Sequence, residues 1–171
     1  MINVSIIHDD ITNRETEAIV NPANKNLILG DGVAGAIRSK GGNIIQQKCN
    51  ELSPIKIGQA VITPAGNLPQ KFVIHAAGPR AGEENREVLL RNSVLNSLKI
   101  SEKNKIKSIS FPAISTGIFG YPMKEAANVI LGSINNYRTK NKKSCLKLIE
   151  VVLYDKNSYN IFKKIWKDIK N

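Results

Sequence analysis

The sequence predicts an α/β fold, a three-layer α/β/α sandwich whose central sheet is mixed but mostly parallel. Short β-rich runs alternate along the chain with stretches of helical periodicity, and this alternation carries the prediction. The apolar run at residues 146–153 has strand length and suits burial on both faces, as in a sheet covered by helices on both sides. The chain has 171 residues and neither a repeat nor a linker. One domain spanning residues 1–171 is therefore expected.

The strands are predicted where runs of β-branched residues end at turn residues. The first run alternates in part, the second ends at Asn21-Pro22, and the fifth ends at Pro112. The predicted strands cover residues 2–7, 18–20, 59–63, 72–76, 108–111 and 146–153.

The helices are predicted from periodicity and from their end signals. One begins after Gly32 and stops at Gly41-Gly42, and another begins near Pro122, since proline is favoured in a first turn. The predicted helices cover residues 33–40, 43–49, 84–103 and 122–137. A last helix carries one apolar face, which indicates core packing, made of Tyr159, Phe162, Ile165, Trp166 and Ile169.

Composition narrows the class of protein. A hydrophobic content of 42% and a charged content of 23% are typical of a globular chain and exclude a disordered tail. No apolar run is long enough to cross a bilayer, and the first residues lack the basic region of a secretory signal, so a cytoplasmic protein without membrane contact is expected. Cys49, Cys145, His8 and His75 stand apart in the sequence, so we expect no metal site, no disulfide and no cofactor.

The net charge of +11 is large for this length, and the lysines are concentrated in the second half of the chain. Such a field attracts polyanions. A solvated lysine-rich surface is nevertheless favoured over a dedicated nucleic-acid site, because no aromatic residues are interleaved with the basic clusters as base stacking requires. Weak polyanion binding stays as an alternative.

A glycine-rich segment, Gly30-x-Gly32-x-x-Gly35, is the first candidate for a ligand site. Glycines allow close backbone approach to a ligand, and the N-terminus of the following helix offers N–H groups to a phosphate. The same spacing occurs in the dinucleotide fingerprint of oxidoreductases. That fingerprint follows its strand directly and has an acidic residue about 20 positions later. Here no strand adjoins Gly30 and Glu51 lies in no strand-like context, so the dehydrogenase interpretation is rejected.

Two further segments support a nucleotide-like ligand. Residues 111–122 run from a strand end through Ser115, Thr116 and Gly117 to a helix, and ligands of open α/β sheets bind beyond strand ends. The alternative is an ordinary turn whose Ser and Thr cap the helix. After the first strand, Asp10 could cap a turn or accept a hydrogen bond from an exocyclic amine such as that of adenine.

Together these segments resemble the macro domain family, which binds ADP-ribose and related molecules, and most of all its microbial, particularly archaeal, branch. The resemblance runs in order through residues 10–12, 18–24, 30–36, 58–63, 73–79, 111–122 and 153–155. It implies the macro domain fold, and as ligands ADP-ribose or O-acetyl-ADP-ribose, with mono-ADP-ribosylated proteins as further partners.

The resemblance implies a role for each matching residue. Asp10 would accept from the adenine amino group beside the backbone of Ile11, and Tyr154 would pack on the adenine face. Asn24 and Phe119 would contact the distal ribose, while Asn21 and Ala23 shape the first loop. The diphosphate would lie against two loops, which contribute Gly30, Gly32, Val33, Ala34, Ser115, Thr116, Gly117 and Ile118.

The resemblance leaves two alternatives for activity, pure binding of ADP-ribose or its polymer, and hydrolysis of ADP-ribosyl esters or O-acetyl-ADP-ribose. One hydrolytic branch has an aspartate where this chain has Ala34, whereas other members with alanine there still cleave, using an asparagine such as Asn24 and the ligand's own phosphate. Asp31 stands where glycine is usual. It is a candidate base together with Asn24, although a side chain pointing to solvent is favoured because two anions repel each other.

Overall fold

Six strands form one sheet in the computed structural model, which describes residues 1–170. The strands are β1 (Asn3–His8), β2 (Ala18–Ala23), β3 (Ala60–Pro64), β4 (Phe72–Ala77), β5 (Ser108–Phe111) and β6 (Leu148–Leu153). Their order across the sheet is β1-β6-β5-β2-β4-β3. Only β3 runs antiparallel to its neighbour, so the predicted mixed, mostly parallel sheet is confirmed.

Five α-helices cover the two faces of this sheet. They are α1 (Gly32–Gly41), α2 (Asn43–Leu52), α3 (Arg86–Lys103), α4 (Met123–Lys140) and α5 (Lys156–Lys170), and a single 3-10 turn at Ile11–Asn13 follows β1. None of the described helices is long and apolar enough to cross a membrane.

Successive side chains of a strand point to opposite faces of the sheet and so contribute to two separate hydrophobic cores. In β2, Ala18 and Val20 point to a large core with α3, α4 and α5, whereas Ile19 points to a smaller core with α1 and α2. Because side chains of a strand alternate between faces, this division follows directly from the sequence of β2. The three-layer sandwich is thereby confirmed.

The second strand is longer than its apolar run predicts. It continues through Asn21 and Pro22 to Ala23, paired throughout with β4. Its pairing with β5 is limited to Ala18↔Ile109 and Ile19↔Ser110. The missing N–H of Pro22 therefore interrupts no pairing to β5, which is why proline is tolerated in an inner strand.

The last strand, β6, contains one buried charged residue within a mostly apolar sequence. Glu150 of β6 is buried, and its carboxylate accepts hydrogen bonds from Arg14 Nε at 2.9 Å and Arg14 Nη2 at 3.0 Å. Ser110 Oγ also donates to it at 3.0 Å. The guanidinium group of Arg14 and the hydroxyl of Ser110 together satisfy the hydrogen bonds of this carboxylate. A charged residue is therefore tolerated in a strand that is buried on both faces.

Candidate functional site

The sheet opens between β2 and β5, and the candidate site lies at this opening. After β2 the chain turns towards β3 and β4, whereas after β5 it turns towards β6, so the two connections diverge from neighbouring strands. Open α/β sheets bind ligands at such a point, beyond the carboxyl ends of the strands. Since only two residue pairs join β2 to β5, their carboxyl ends and the loops that follow are free to stand apart.

The first of these loops joins β2 to α1 and depends on two glycines. Gly32 has φ of +61°, a left-handed conformation that glycine adopts without strain. A Cβ at Gly35 would lie 2.9 Å from the carbonyl oxygen of Gly30, so only glycine lets α1 pack this closely against the loop. The N–H groups of the first helical turn, from Gly32 to Ala34, point out of the helix and can bind an anion.

Asn24 holds this loop in shape. Its Oδ1 accepts from the N–H of Asn26 at 3.0 Å and of Ile28 at 3.3 Å, and its Nδ2 donates to the carbonyl of Ile28 at 3.0 Å. The carboxamide thus organises the turn, and the second hydrogen of Nδ2 is left to donate to a ligand hydroxyl.

The second loop joins β5 to α4 and contains a strained residue. Ser115 has φ of +70°, which is uncommon for a residue with a side chain and is typical of functional sites. Its buried Oγ has no hydrogen-bond partner within the described residues. Gly78, at the end of β4, makes room for it, because a Cβ there would lie 2.2 Å from Ser115 Oγ.

The hydroxyls of this loop do not cap α4. Thr116 Oγ1 donates to the carbonyl of Ala113 at 2.7 Å. The helix begins at Met123 behind Pro122, without a side-chain cap, rather than at the proline as predicted. The interpretation of the loop as a plain capping turn is therefore wrong, because neither hydroxyl caps the helix.

The tip of the second loop is exposed. Ile118 is 94% exposed, and a Cβ at Gly117 would meet no atom within 4 Å. Beside them Phe119 lies under the Arg80 guanidinium, whose carbon is 5.0 Å from the ring centroid. The carbonyl of Phe119 also accepts from Ala81 N–H at 2.9 Å, so this ring is held between two loops.

Asp10 forms the far end of the site, after β1. Its Oδ1 accepts from Thr12 N–H at 2.9 Å and from Thr12 Oγ1 at 2.6 Å, so it caps the 3-10 turn. Its Oδ2 accepts from Lys40 Nζ at 3.0 Å. Burial by itself would raise the pKa of Asp10, but the hydrogen bonds from Thr12 and Lys40 together hold it below its ordinary value. The carboxylate is therefore ionised and fixed in direction.

An exposed aromatic ring follows the strand that neighbours β1. Tyr154 follows β6, which pairs with β1 through His8↔Leu153, so Tyr154 and the segment with Asp10 leave adjacent strand ends. The Tyr154 side chain is 82% exposed. Such a ring supplies a flat apolar surface on which a planar base can stack.

The remaining predicted residues differ in their access to the opening. Asp31 is exposed directly before α1 and makes no capping hydrogen bond with its side chain, which agrees with the favoured solvent-facing position. Ala34, Ala23 and Ile11 are buried, so they offer little exposed surface to a ligand.

The structure brings together one cysteine and one histidine beside the smaller core. Cys49 Sγ lies 3.5 Å from His75 Nε2, and His75 also contacts Asn21 Nδ2 at 3.1 Å and Thr63 Oγ1 at 2.9 Å. Burial raises the pKa of Cys49 to about 11 and lowers that of His75 to about 4, so both are neutral at pH 7. A neutral buried thiol is not a nucleophile. Within residues 1–170, no three His, Cys, Asp or Glu side chains are placed to hold a metal ion.

Comparison with known proteins agrees with this geometry. The family model for the Macro domain matches residues 20–130 of the chain, which include both loops of the opening. The chain belongs to the macro domain family. The resemblance inferred from the sequence motifs is thereby confirmed.

Relatives of this macro domain match along nearly its whole length. O-acetyl-ADP-ribose deacetylase 1 of Pantoea vagans is 39% identical, over 96% of this chain and 99% of that protein. A mutant of the Oceanobacillus iheyensis macrodomain, with ADPR, is 35% identical, with a TM-score of 0.91 over 96% of this chain and 92% of that chain. The Trypanosoma brucei macrodomain in complex with ADP-ribose is 28% identical, with a TM-score of 0.88 over 94% of this chain and 68% of that chain.

Two residues of this macro domain's opening were missed by reasoning from the sequence. Lys40 lies at the opposite end of α1 from the glycine loop, and only folding brings its ammonium group to Asp10. Arg80 follows Gly78-Pro79, and its contact with Phe119 joins segments distant in sequence. The sequence placed Lys40 on a predicted helix and Arg80 directly after a turn, but neither pattern identifies the residue that each side chain contacts.

Proposed function

We propose that this macro domain binds ADP-ribose along the opening between β2 and β5. The observation that carries the proposal is the order of the strand ends β1, β6, β5 and β2 along the carboxyl edge of the sheet. An ionised carboxylate beside an exposed ring lies at one end, and two loops with outward N–H groups lie at the other. A base, a diphosphate and a sugar need these surfaces in this order.

Each surface suits one part of the ligand. Tyr154 stacks on the base, while the Asp10 carboxylate accepts a hydrogen bond from the amino group of the base. An ionised carboxylate has no hydrogen to donate, so it pairs only with a donor. The helix N-terminus at Gly32 and the loop at Ser115 hold the diphosphate by N–H groups, without a metal ion or a lysine. Asn24 and Phe119 contact the distal ribose.

Calorimetric titration with ADP-ribose tests the binding proposal. We expect a single site, and we expect Tyr154→Ala to weaken it about tenfold because base–aromatic stacking contributes roughly 1–3 kcal/mol. Val88→Ala is the matched control, since Val88 is another exposed apolar side chain, on α3. Absence of both heat and a thermal shift with ADP-ribose would overturn the proposal.

A second proposal is that the bound ligand is hydrolysed when it carries an ester. It is supported by the relative named O-acetyl-ADP-ribose deacetylase, which matches over 99% of its own length. Water would attack the ester carbonyl, the bond to the ribose oxygen would break, and acetate and ADP-ribose would leave. In mono-ADP-ribosylated proteins the same attack on an ester would give ADP-ribose and the free, unmodified carboxylate side chain of the protein. Positioning of the ribose by the Asn24 loop would orient the ester.

An assay with O-acetyl-ADP-ribose on three proteins tests this activity. We expect Asp31→Gly to keep most of the turnover of the parent chain, because the exposed Asp31 side chain has no capping hydrogen bond that would fix it as a base. We expect Asn24→Ala to lose activity, since three hydrogen bonds that shape the loop disappear. An inactive parent chain that still binds ADP-ribose would leave a pure binding module. Activity lost in Asp31→Gly alone would identify Asp31 as the base.

A further inference from the structure

Lysines from two segments of the chain meet at the edge of the sheet opposite the candidate site. Helices α3 and α4 end there, and β5 and β6 begin there. The exposed lysines on these ends and connections, called the basic face from here on, are Lys103, Lys105, Lys107, Lys140, Lys142, Lys143 and Lys147.

Two acidic side chains lie against these segments. Glu17, which precedes β2, accepts from the Lys107 N–H at 2.7 Å and pairs with Lys71, and Glu102 lies near the end of α3. The carboxylate of Glu102 accepts from Tyr137 OH at 3.0 Å, from Cys145 N–H at 3.3 Å, and from Ser144 Oγ. The Lys147 N–H donates to the Lys107 carbonyl at 2.7 Å. These bonds join the end of α3, the end of α4 and the starts of β5 and β6 into one surface. The Glu102 carboxylate is thereby satisfied by hydroxyl groups and a backbone N–H.

The lysines of the basic face form no ion pair with a carboxylate of residues 1–170, and Lys107 acts on the Glu17 carboxylate through its charge without such a contact. Among residues 1–170, the ion pairs of lysine involve Lys40, Lys48 and Lys71, and none of the seven lysines takes part. Seven like charges on one surface repel each other, and a bound polyanion relieves that repulsion. Seven of the 25 Lys and Arg residues are therefore gathered at a single end of the molecule.

We propose that the basic face binds the phosphate backbone of a nucleic-acid duplex without regard to sequence, while the opening on the other edge stays available. The aromatic rings nearest to it, Tyr137 and Trp166, are buried, so no platform exists for stacking unpaired bases. Lysines contact phosphates as point charges and carry no base-specific geometry. A regular row of phosphates is the partner that this surface fits.

Fluorescence anisotropy with labelled duplexes of about 20 base pairs, one of DNA and one of RNA, tests the proposal over a salt range of about 50–200 mM. The test variant replaces Lys103, Lys142 and Lys143 by glutamine. The matched control removes the same charge elsewhere, at Lys48, Lys56 and Lys124. We expect the test variant to bind a duplex about tenfold or more weakly at low salt, and its slope of log affinity against log salt to fall by about two to three.

Three outcomes would overturn the proposal. One is an equal loss in the control variant, which would show a response to net charge alone. The second is displacement of the duplex by saturating ADP-ribose, which would place the nucleic acid in the opening. The third is binding of poly(ADP-ribose), but of neither duplex, through the same lysines. Unchanged ADP-ribose affinity in the test variant shows that the fold is intact, and this measurement does not depend on whether a duplex binds.

Discussion

Lys40 fastens the last turn of α1 to the 3-10 turn that carries Asp10. Its ammonium group donates to Asp10 Oδ2 at 3.0 Å, to Thr12 Oγ1 at 2.7 Å and to Asn13 Oδ1 at 3.2 Å, which uses all three of its hydrogens. One end of α1 therefore lies at the proposed base position, while its other end belongs to the loop that we propose holds the diphosphate. Lys40 positions the carboxylate rather than contacting the ligand.

Replacing Lys40 by methionine tests this positioning role. We expect ADP-ribose affinity at pH 7 to fall about two- to fivefold, since the exposed ion pair contributes roughly 0.2–1 kcal/mol. An ionised Asp10 accepts from an amino group more strongly than a protonated one, and loss of Lys40 raises its pKa, so the loss of binding on acidification should begin at higher pH than in the parent chain.

Titrations with ADP-ribose across the acid range measure this shift. Lys48→Met is the control, because Lys48 pairs with Glu51 on the surface of α2. An acid limb that stays at the same pH in Lys40→Met would contradict the role of Lys40, whatever the change in affinity.

At the scale of elements, the loop between β2 and α1 shows that glycines of one motif have different tasks. Gly32 is required by its left-handed backbone and Gly35 by its contact with the Gly30 carbonyl. Gly30 itself has neither requirement, since a Cβ there would meet no atom within 4 Å. The spacing of the glycines alone does not reveal this difference.

A pair of alanine variants separates these tasks. We expect Gly32→Ala to reduce the free energy of unfolding by about 1–2 kcal/mol, the cost of a left-handed residue with a Cβ, and to weaken ADP-ribose binding by moving the loop. Gly30→Ala should leave stability within about 0.5 kcal/mol of the parent chain. Urea unfolding measures both, and equal effects of the two substitutions would contradict the assignment.

At the scale of the whole molecule, polar groups are buried where the smaller core meets the sheet. His75 in β4 contacts Asn21 of β2, Thr63 of β3 and Cys49 of α2, and thus joins three strands and a helix. Burial lowers the pKa of His75 from 6.5 to about 4. The unfolded chain therefore takes up this proton more readily than the folded chain.

Stability should consequently fall as the pH is lowered from about 6.5 towards 4, by up to about 1.4 kcal/mol per pH unit. Above about pH 5 this dependence belongs mainly to His75, because the carboxylates with lowered pKa values, such as Asp9 and Glu17, titrate below that range.

Urea unfolding of His75→Gln between about pH 6.5 and 5 checks this sign. The variant should lose the pH dependence even if it is less stable throughout. His8→Gln is the control, because His8 is exposed. A parent chain whose stability is constant across this range would contradict the prediction.

Several features were determined by the sequence itself. Alternation between β-rich runs and helical periods specified the layers, because burial of each element's apolar face requires a neighbour on that side. The left-handed position at Gly32 and the helix that starts there follow from local conformational preference. The motifs were specific enough to indicate the family, since the segments around Asp10, Gly30 and Ser115 follow one another in the same order as the motifs of macro domains.

Only the tertiary structure decided what these residues contact. The extension of β2 through Pro22 depends on the early end of its pairing with β5, which no local pattern encodes. The bonds of Lys40 to Asp10 and of His75 to Asn21, and the gathering of lysines around Glu102, join residues far apart in sequence. Periodicity reports which face of an element is buried, whereas a contact between two elements is set by strand order and register.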